Sequence, residues 1–223
     1  MHPGTRTDLM APIRYGIILI IVLTLAITVL AYPALPDRIP SHWNINGEVD
    51  GYSSTLWGVL IVPVIMVALT ALLLLLPRVD PLRANYQKFR RYYDGFILVF
   101  AAFLFIIQLQ ILLSGLGYPV SPTVVYPIIL GGLFIYLGFL IEHAEQNWFV
   151  GIRTPWTMSS ERVWKKTHAR GGTLFKIAGI IAIAGLLFGR YSLWFVLVPI
   201  LAVAVYLVVY SYLEFQREKG TTQ

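Results

Sequence analysis

NWFVGIRTPWTMSSERVWKKTH, Asn147 to His168, is a polar, turn-rich, tryptophan-bearing stretch between two apolar runs, each long enough to cross a bilayer. A helix traversing about 30 Å of hydrocarbon at about 1.5 Å per residue needs about 20 apolar residues. Outward from this stretch, six runs meet that requirement: Tyr15 to Ala31, Leu56 to Leu76, Gly95 to Leu113, Val124 to Ile141, Leu174 to Gly189 and Leu193 to Leu213. The composition agrees. Of 223 residues, 57% are hydrophobic and 13% charged, and the mean hydropathy of +0.72 exceeds that of ordinary soluble domains. The expected fold class is an all-α integral membrane protein with six transmembrane helices. A short extracytoplasmic loop or hairpin and a cytoplasmic interfacial helix complete it.

Positive residues resist export, so their distribution sets the expected direction of the spans. Of the 17 Lys and Arg, only Arg38 and Arg190 fall in the first, third and fifth connections. The rest lie in the N-terminal arm (Arg6, Arg14), the second and fourth connections and the C-terminal tail. Both termini are therefore expected in the cytoplasm of a multi-pass cell-membrane protein. The first run ends in Val29, Leu30 and Ala31, a tolerable signal cleavage site, but it is longer than a usual signal core and reads as a retained anchor. The net charge of +6 belongs to this asymmetry, and direct nucleic-acid binding is not expected. With no cysteine, disulfides and thiolate chemistry are excluded.

The spans contain no ionisable residue near their middles, which argues against proton-coupled transport or intramembrane hydrolysis. Gln108, Gln110, Thr24, Thr28 and Thr70 read as interhelical hydrogen-bonding groups, and Ala178, Ala182, Gly185 and Gly189 as a small-residue face permitting close helix contact. Pro63, Pro127 and Pro199 recur early in three helices, as hinges or the trace of a repeat.

In the first outside loop, YPALPDRIPSHWNINGEVDGY, Pro33, Pro36 and Pro40 enforce an extended exit from the membrane. Asn46 and Gly47 suit a type I′ turn closing a hairpin, with Trp43 and Tyr52 at the interface. In the inside segment, Thr157 or Ser159 is expected to cap a helix presenting Glu161, Trp164, Lys165 and His168 on one side, with a Glu161–Lys165 ion pair. Trp156, Trp164, Arg162, Lys166 and Arg170 read as an amphipathic surface against the inner leaflet, ended by Gly171 and Gly172. A buried Arg153 would suit a carboxylate such as Glu142 or Glu145. Glu142, His143, Glu145 and His168 share no spacing of a dedicated metal site, and no metal or other cofactor is expected.

At these two loops the chain resembles the SdpI family, the immunity proteins for the sporulation-delaying toxin. The resemblance runs through YPALPDRIPSHWNINGEVDGY and the pattern Asn, Gly-Ile-Arg-Thr-Pro-Trp-Thr, Glu, Val-Trp-Lys-Lys-Thr-His in the inside segment. It implies an N-terminal membrane module over residues 1–94, with outside loop 32–54, and a C-terminal SdpI-like module over 95–223, with inside motif 147–170. It further implies toxin resistance and signal transduction: protection against a secreted toxic peptide outside and recruitment of a small DNA-binding repressor inside. Carried over by position, the outside residues are Pro36, Asp37, Pro40, His42, Trp43, Asn44, Gly47 and Asp50. The inside residues are Asn147, Gly151, Arg153, Thr154, Pro155, Trp156, Glu161, Trp164, Lys165 and His168. No catalytic residue is assigned and the chain is not read as an enzyme. Two alternatives stand beside this reading: a small-molecule or peptide transporter with a cavity lined by Gln108 and Gln110, and a membrane-embedded enzyme using Glu142, His143, Glu161 and His168. The orientation predicts that a reporter fused after Gln223 is active on the cytoplasmic side; activity only outside the cell would reverse the topology.

Overall fold

The structure, a computed structural model, describes residues 11–221; Arg6 and both chain termini lie outside the described residues. Among these, six helices are long and apolar enough to span a bilayer. They are α1 (Ala11–Ala31), α2 (Thr55–Val79), α3 (Tyr86–Gly115), α4 (Pro122–His143), α6 (Glu161–Ala184) and α7 (Trp194–Thr221). A five-residue helix, α5 (Pro155–Ser159), precedes α6. The chain is an all-α multi-pass membrane protein, as expected, because only closed intrahelical hydrogen bonding satisfies a backbone in hydrocarbon.

Three helices run further than hydropathy predicts, α7 by continuing to Thr221 past the expected Leu213. The helix α3 starts at Tyr86 rather than near Gly95, because Tyr86, Phe89 and Tyr93 are buried in a core with Ile17, Ile97, Leu140 and Trp164. The helix α6 passes straight through Gly171 and Gly172, so the interfacial segment and the fifth span form one helix. Those glycines do not end a helix; they admit a neighbour.

That neighbour is α4, which crosses the membrane antiparallel to α6 and makes the most extensive helix contact in the protein. A Cβ on Gly138 would come within 2.6 Å of the Gly172 carbonyl oxygen, and one on Gly172 within 2.6 Å of Glu142 Cβ. Seven residues along each helix, a Cβ on Gly179 would come within 2.5 Å of the Gly131 carbonyl oxygen. Small residues thus let two backbones approach where the hydrophobic effect supplies no drive. Of the expected small face, Ala178, Ala182 and Gly185 are buried, but Gly189 is exposed in a 3-10 segment with φ +55°.

Gln108 on α3 donates from Nε2 to Thr28 Oγ1 on α1 at 2.9 Å and to the Val59 carbonyl on α2 at 3.0 Å. This joins three helices, as the sequence reading expects. Gln110 is buried as well. Neither the Gln110 amide nor the Thr70 hydroxyl, however, has a side-chain hydrogen-bond partner among the described residues. Pro63, Pro127 and Pro199 lie inside α2, α4 and α7 without ending them.

The connection after α1 forms a hairpin, β1 (Arg38–Trp43) antiparallel to β2 (Val49–Ser54). Ile39, fully buried, packs with Val59, Val62, Met66, Leu104 and Ile111 and anchors the hairpin on α2 and α3. The turn differs from the expected type I′. Only Gly47 has positive φ, and Asn44 makes a tighter arrangement, its Oδ1 accepting from the Asn46 and Glu48 amides. An asparagine side chain that satisfies the turn amides removes the need for left-handed Asn46. The hairpin tip reaches α4: a Cβ on Gly47 would lie 2.7 Å from Thr123 Cγ2.

The α4–α6 contact predicts that Gly172→Leu lowers stability by roughly 1–3 kcal/mol through overpacking. Gly132→Ala, at an exposed position with nothing within 4 Å of the added methyl, is expected to be neutral or slightly stabilising. Thermal unfolding in detergent checks both.

Candidate functional site

The segment between α4 and α6 lies at the end of the bundle opposite the hairpin, and Asn147 organises it. Its side chain is fully buried. Oδ1 accepts from the amides of Phe149 (2.9 Å) and Val150 (2.7 Å) and from the Tyr86 hydroxyl at 3.3 Å. Nδ2 donates to the carbonyls of Glu145 and Val150, both at 2.9 Å. An irregular buried loop must account for each backbone polar group, and one asparagine answers for four here.

Two further groups, Asp80 and Asn85, tie this loop to the connection between α2 and α3. Asp80 accepts from the Trp148 amide at 2.9 Å and from the Leu82 amide at 2.7 Å. Asn85 donates to the Gln146 carbonyl at 2.7 Å. Gln146 in turn donates to the carbonyls of Thr157 and Met158. Asp80, Asn85, Tyr86 and Gln146 are absent from the sequence-derived set. Asp80 carries a faint local signal, an aspartate before proline at the end of an apolar run, but nothing in the sequence pairs it with residue 148.

Gly151 adopts φ +113°, and a Cβ there would sit 2.3 Å from His168 Nε2. Glycine is required on both counts. His168, buried, accepts from the Ile152 amide through Nε2 at 3.0 Å. Its Nδ1 lies 2.9 Å from the Trp164 carbonyl, which can only accept, so the ring is the neutral tautomer protonated at Nδ1. The ring also stacks on Trp164, with centroids 3.8 Å apart. Trp164 is 1% exposed and donates to the Ala144 carbonyl at 2.8 Å. The expected lipid-facing Trp164 is therefore a core residue, because its indole covers the end of α4 instead.

Helix capping also differs from expectation. Thr154 and Thr157 form a reciprocal capping box around Pro155 at the start of α5, and Ser160 caps α6 by accepting from the Val163 amide. Thr154 also donates to Ser211 on α7 at 3.0 Å, and Trp156 meets Tyr212 edge-on at 5.1 Å. The basic residues turn the same way. Lys166 pairs with Glu214 at 2.6 Å, and Arg170 lies over the Tyr210 ring, so these side chains brace α7 rather than lining up against lipid.

Arg153 is exposed, not buried, and donates to the Trp148 carbonyl rather than to Glu142 or Glu145. Glu142 is taken by Lys176 at 2.7 Å. The Glu161–Lys165 pair forms at 2.8 Å on the surface. Glu142, His143, Glu145 and His168 do line one cleft of about 390 Å³ with Lys88 and Lys165, while Glu161 stays outside it. Both His168 nitrogens are engaged there, so that imidazole is not free to act as a base, while the exposed His143 ring stacks on Tyr92 with its Nδ1 2.9 Å from the Phe139 carbonyl. Among the described residues no three His, Asp or Glu converge to hold a metal ion.

On the hairpin, His42 and Asp50 pair across the strands at 2.5 Å, both exposed. Asp37 and Pro36 are exposed; Thr55 donates to both of their carbonyls. Pro40, Trp43, Asn44 and Gly47 are half-buried. The two loops of interest thus lie at opposite ends of the bundle. Within the motif, Asn147, Thr154, Trp164 and His168 form a buried frame. Trp148, Phe149, Arg153, Pro155, Glu161 and Lys165 face outward. Asn147→Ala, which strands the Phe149 and Val150 amides, is expected to cost about 2 kcal/mol or more. Arg153→Ala is expected to change stability by less than about 0.5 kcal/mol. Unfolding curves of the two variants give the comparison.

Comparison with known proteins bears on both ends. Residues 19–67 match a domain of unknown function (DUF1648). Residues 143–211, which hold the motif, α5, α6 and much of α7, match the SdpI/YfhL protein family. The chain is 29% identical over 205 residues to the immunity protein SdpI of Bacillus subtilis (strain 168), a match covering 92% of this chain and 96% of that protein. No solved structure matches. The motif, the two matched segments in order and a relative aligned over nearly its full length make the chain similar to the SdpI/YfhL protein family, with the family match itself over residues 143–211.

Proposed function

We propose that the protein is a membrane immunity and signal-transduction protein, not an enzyme, that protects against a secreted toxic peptide and recruits a small DNA-binding repressor. The hairpin faces outside; the motif and both termini face the cytoplasm, in line with the Lys and Arg asymmetry. The functional units are the two modules, 1–94 and 95–223, joined within α3 beyond its kink at Phe89. Lipid surrounds the bundle.

One observation carries the reading. The helix α4 begins against the hairpin tip, at Thr123 beside Gly47, and ends in the motif, at Ala144 under Trp164. Along its length it is locked to α6, which starts the other half of the motif. A peptide that displaces the hairpin tip would move a rigid pair whose far end holds Arg153, Trp148 and Phe149. Such a switch operates only if the peptide binds the two packings with different affinity. The transporter reading is weaker, because Gln108 and Gln110 are buried and Gln108 is spent on α1 and α2. The enzyme reading is weaker because both nitrogens of His168 hold the loop.

Arg153→Ala and Trp156→Ala, expressed in a host killed by the sporulation-delaying toxin, are expected to abolish repressor capture in mild-detergent affinity purification. Survival should persist if protection acts at the hairpin. Unchanged capture by both variants removes the docking assignment, and toxin sensitivity with wild-type protein removes the immunity role.

A further inference from the structure

A second cleft, larger than the one beside the motif, opens at the same end of the bundle. Arg14 on α1, Arg78 at the end of α2, Arg83 in the 3-10 turn before α3 and Arg90 near the start of α3 line a pocket of about 940 Å³, whose walls include Ile18 and Leu74. Among the described residues no acidic side chain lines it. Arg90 is held by Asp94 at 2.7 Å, while Arg14, Arg78 and Arg83 pair with no carboxylate among the described residues. The smaller cleft sets Lys88 and Lys165 against Glu142 and Glu145 and so is balanced in charge. The larger one gathers like charges in a concavity, a cost that a bound anion offsets.

Guanidinium forks match phosphate oxygens in geometry as well as charge. Helix-end arginines lie at the depth of lipid headgroups, and basic pockets between spanning helices are established headgroup sites. The apolar walls decide the source of the anion. Ile18 is 58% exposed and Leu74 40%, both on spanning helices within about a turn of an arginine. The pocket therefore continues onto hydrocarbon-facing surface, which a soluble phosphate would leave unused. The geometry points to a binding site for the phosphodiester headgroup of an anionic phospholipid, its acyl chains lying along Ile18 and Leu74. The lipid clamps α1, α2 and α3 at their shared end, beside Asp80, which holds the Trp148 amide. This inference stands independently of the immunity reading.

The test uses the full chain in detergent, with phosphatidylglycerol or phosphatidylcholine added and retained lipid counted by native mass spectrometry. Wild type is expected to retain phosphatidylglycerol selectively, and Arg78→Gln/Arg83→Gln to weaken that retention by about tenfold or more, at about 1 kcal/mol per arginine. Arg162→Gln/Arg170→Gln, which removes the same charge outside the pocket, should stay within about twofold of wild type. Arg14→Gln alone, expected to give a smaller loss of the same kind, replaces the double variant if that variant unfolds. Wild-type retention by the pocket variants, or equal loss in both doubles, overturns the site. Displacement of the lipid by glycerol phosphate at equal concentration overturns the lipid as the source.

Discussion

Between Gly138 on α4 and Gly172 on α6 there is no room for a methyl group, and most of what distinguishes this bundle follows from that approach. In hydrocarbon, apolar side chains gain nothing by leaving lipid for one another, so helix pairs are held by dispersion at short range and by hydrogen bonds. Glycines spaced by seven on both helices bring the backbones together, and Lys176 closes the crossing on Glu142. The register so fixed decides where α4 ends and where α6 begins. The motif is the chain between those two ends, and its geometry is inherited from them.

Given that register, the motif solves a local problem. The chain must leave α4 at Ala144 and enter α6 at Glu161 while covering the aromatic core around Tyr86 and Trp164. A loop placed there buries backbone amides and carbonyls that water cannot reach, and each needs a partner. Asn147, Asp80, Gln146, Thr157 and His168 supply them. The motif's polar residues thus divide by burial. Those turned inward hold the frame, and those turned outward, with Arg153 foremost, are the surface that frame presents.

Much of this was legible beforehand. The six spans, the hairpin and the Glu161–Lys165 pair follow from run lengths, turn residues and helical spacing, all of which are local signals. The lipid-facing placement of Trp164 and the burial of Arg153 were misread for different reasons. Trp164 was assigned from amphipathic pattern, which cannot say whether the apolar side of a helix near the membrane surface meets lipid or protein, and Arg153 from the match of its guanidinium to a carboxylate, although Glu142 is taken by Lys176. The turn at Asn46 was misread because the side chain of Asn44, two residues earlier, competes for the same amides.

By itself the sequence determined that this chain crosses the membrane and which stretches do so, since a run of about twenty apolar residues matches the hydrocarbon in length and, as a helix, closes its own backbone hydrogen bonds there. It also determined which loop is exceptional, because polar residues and glycines there interrupt a composition that is otherwise apolar. The tertiary structure alone decided which of those residues face inward. Asp80 meets Trp148, Asn85 meets Gln146 and Lys166 meets Glu214 across separations of dozens of residues. Hydropathy and periodicity act over one or two helical turns, whereas these contacts depend on where six helices stand relative to one another.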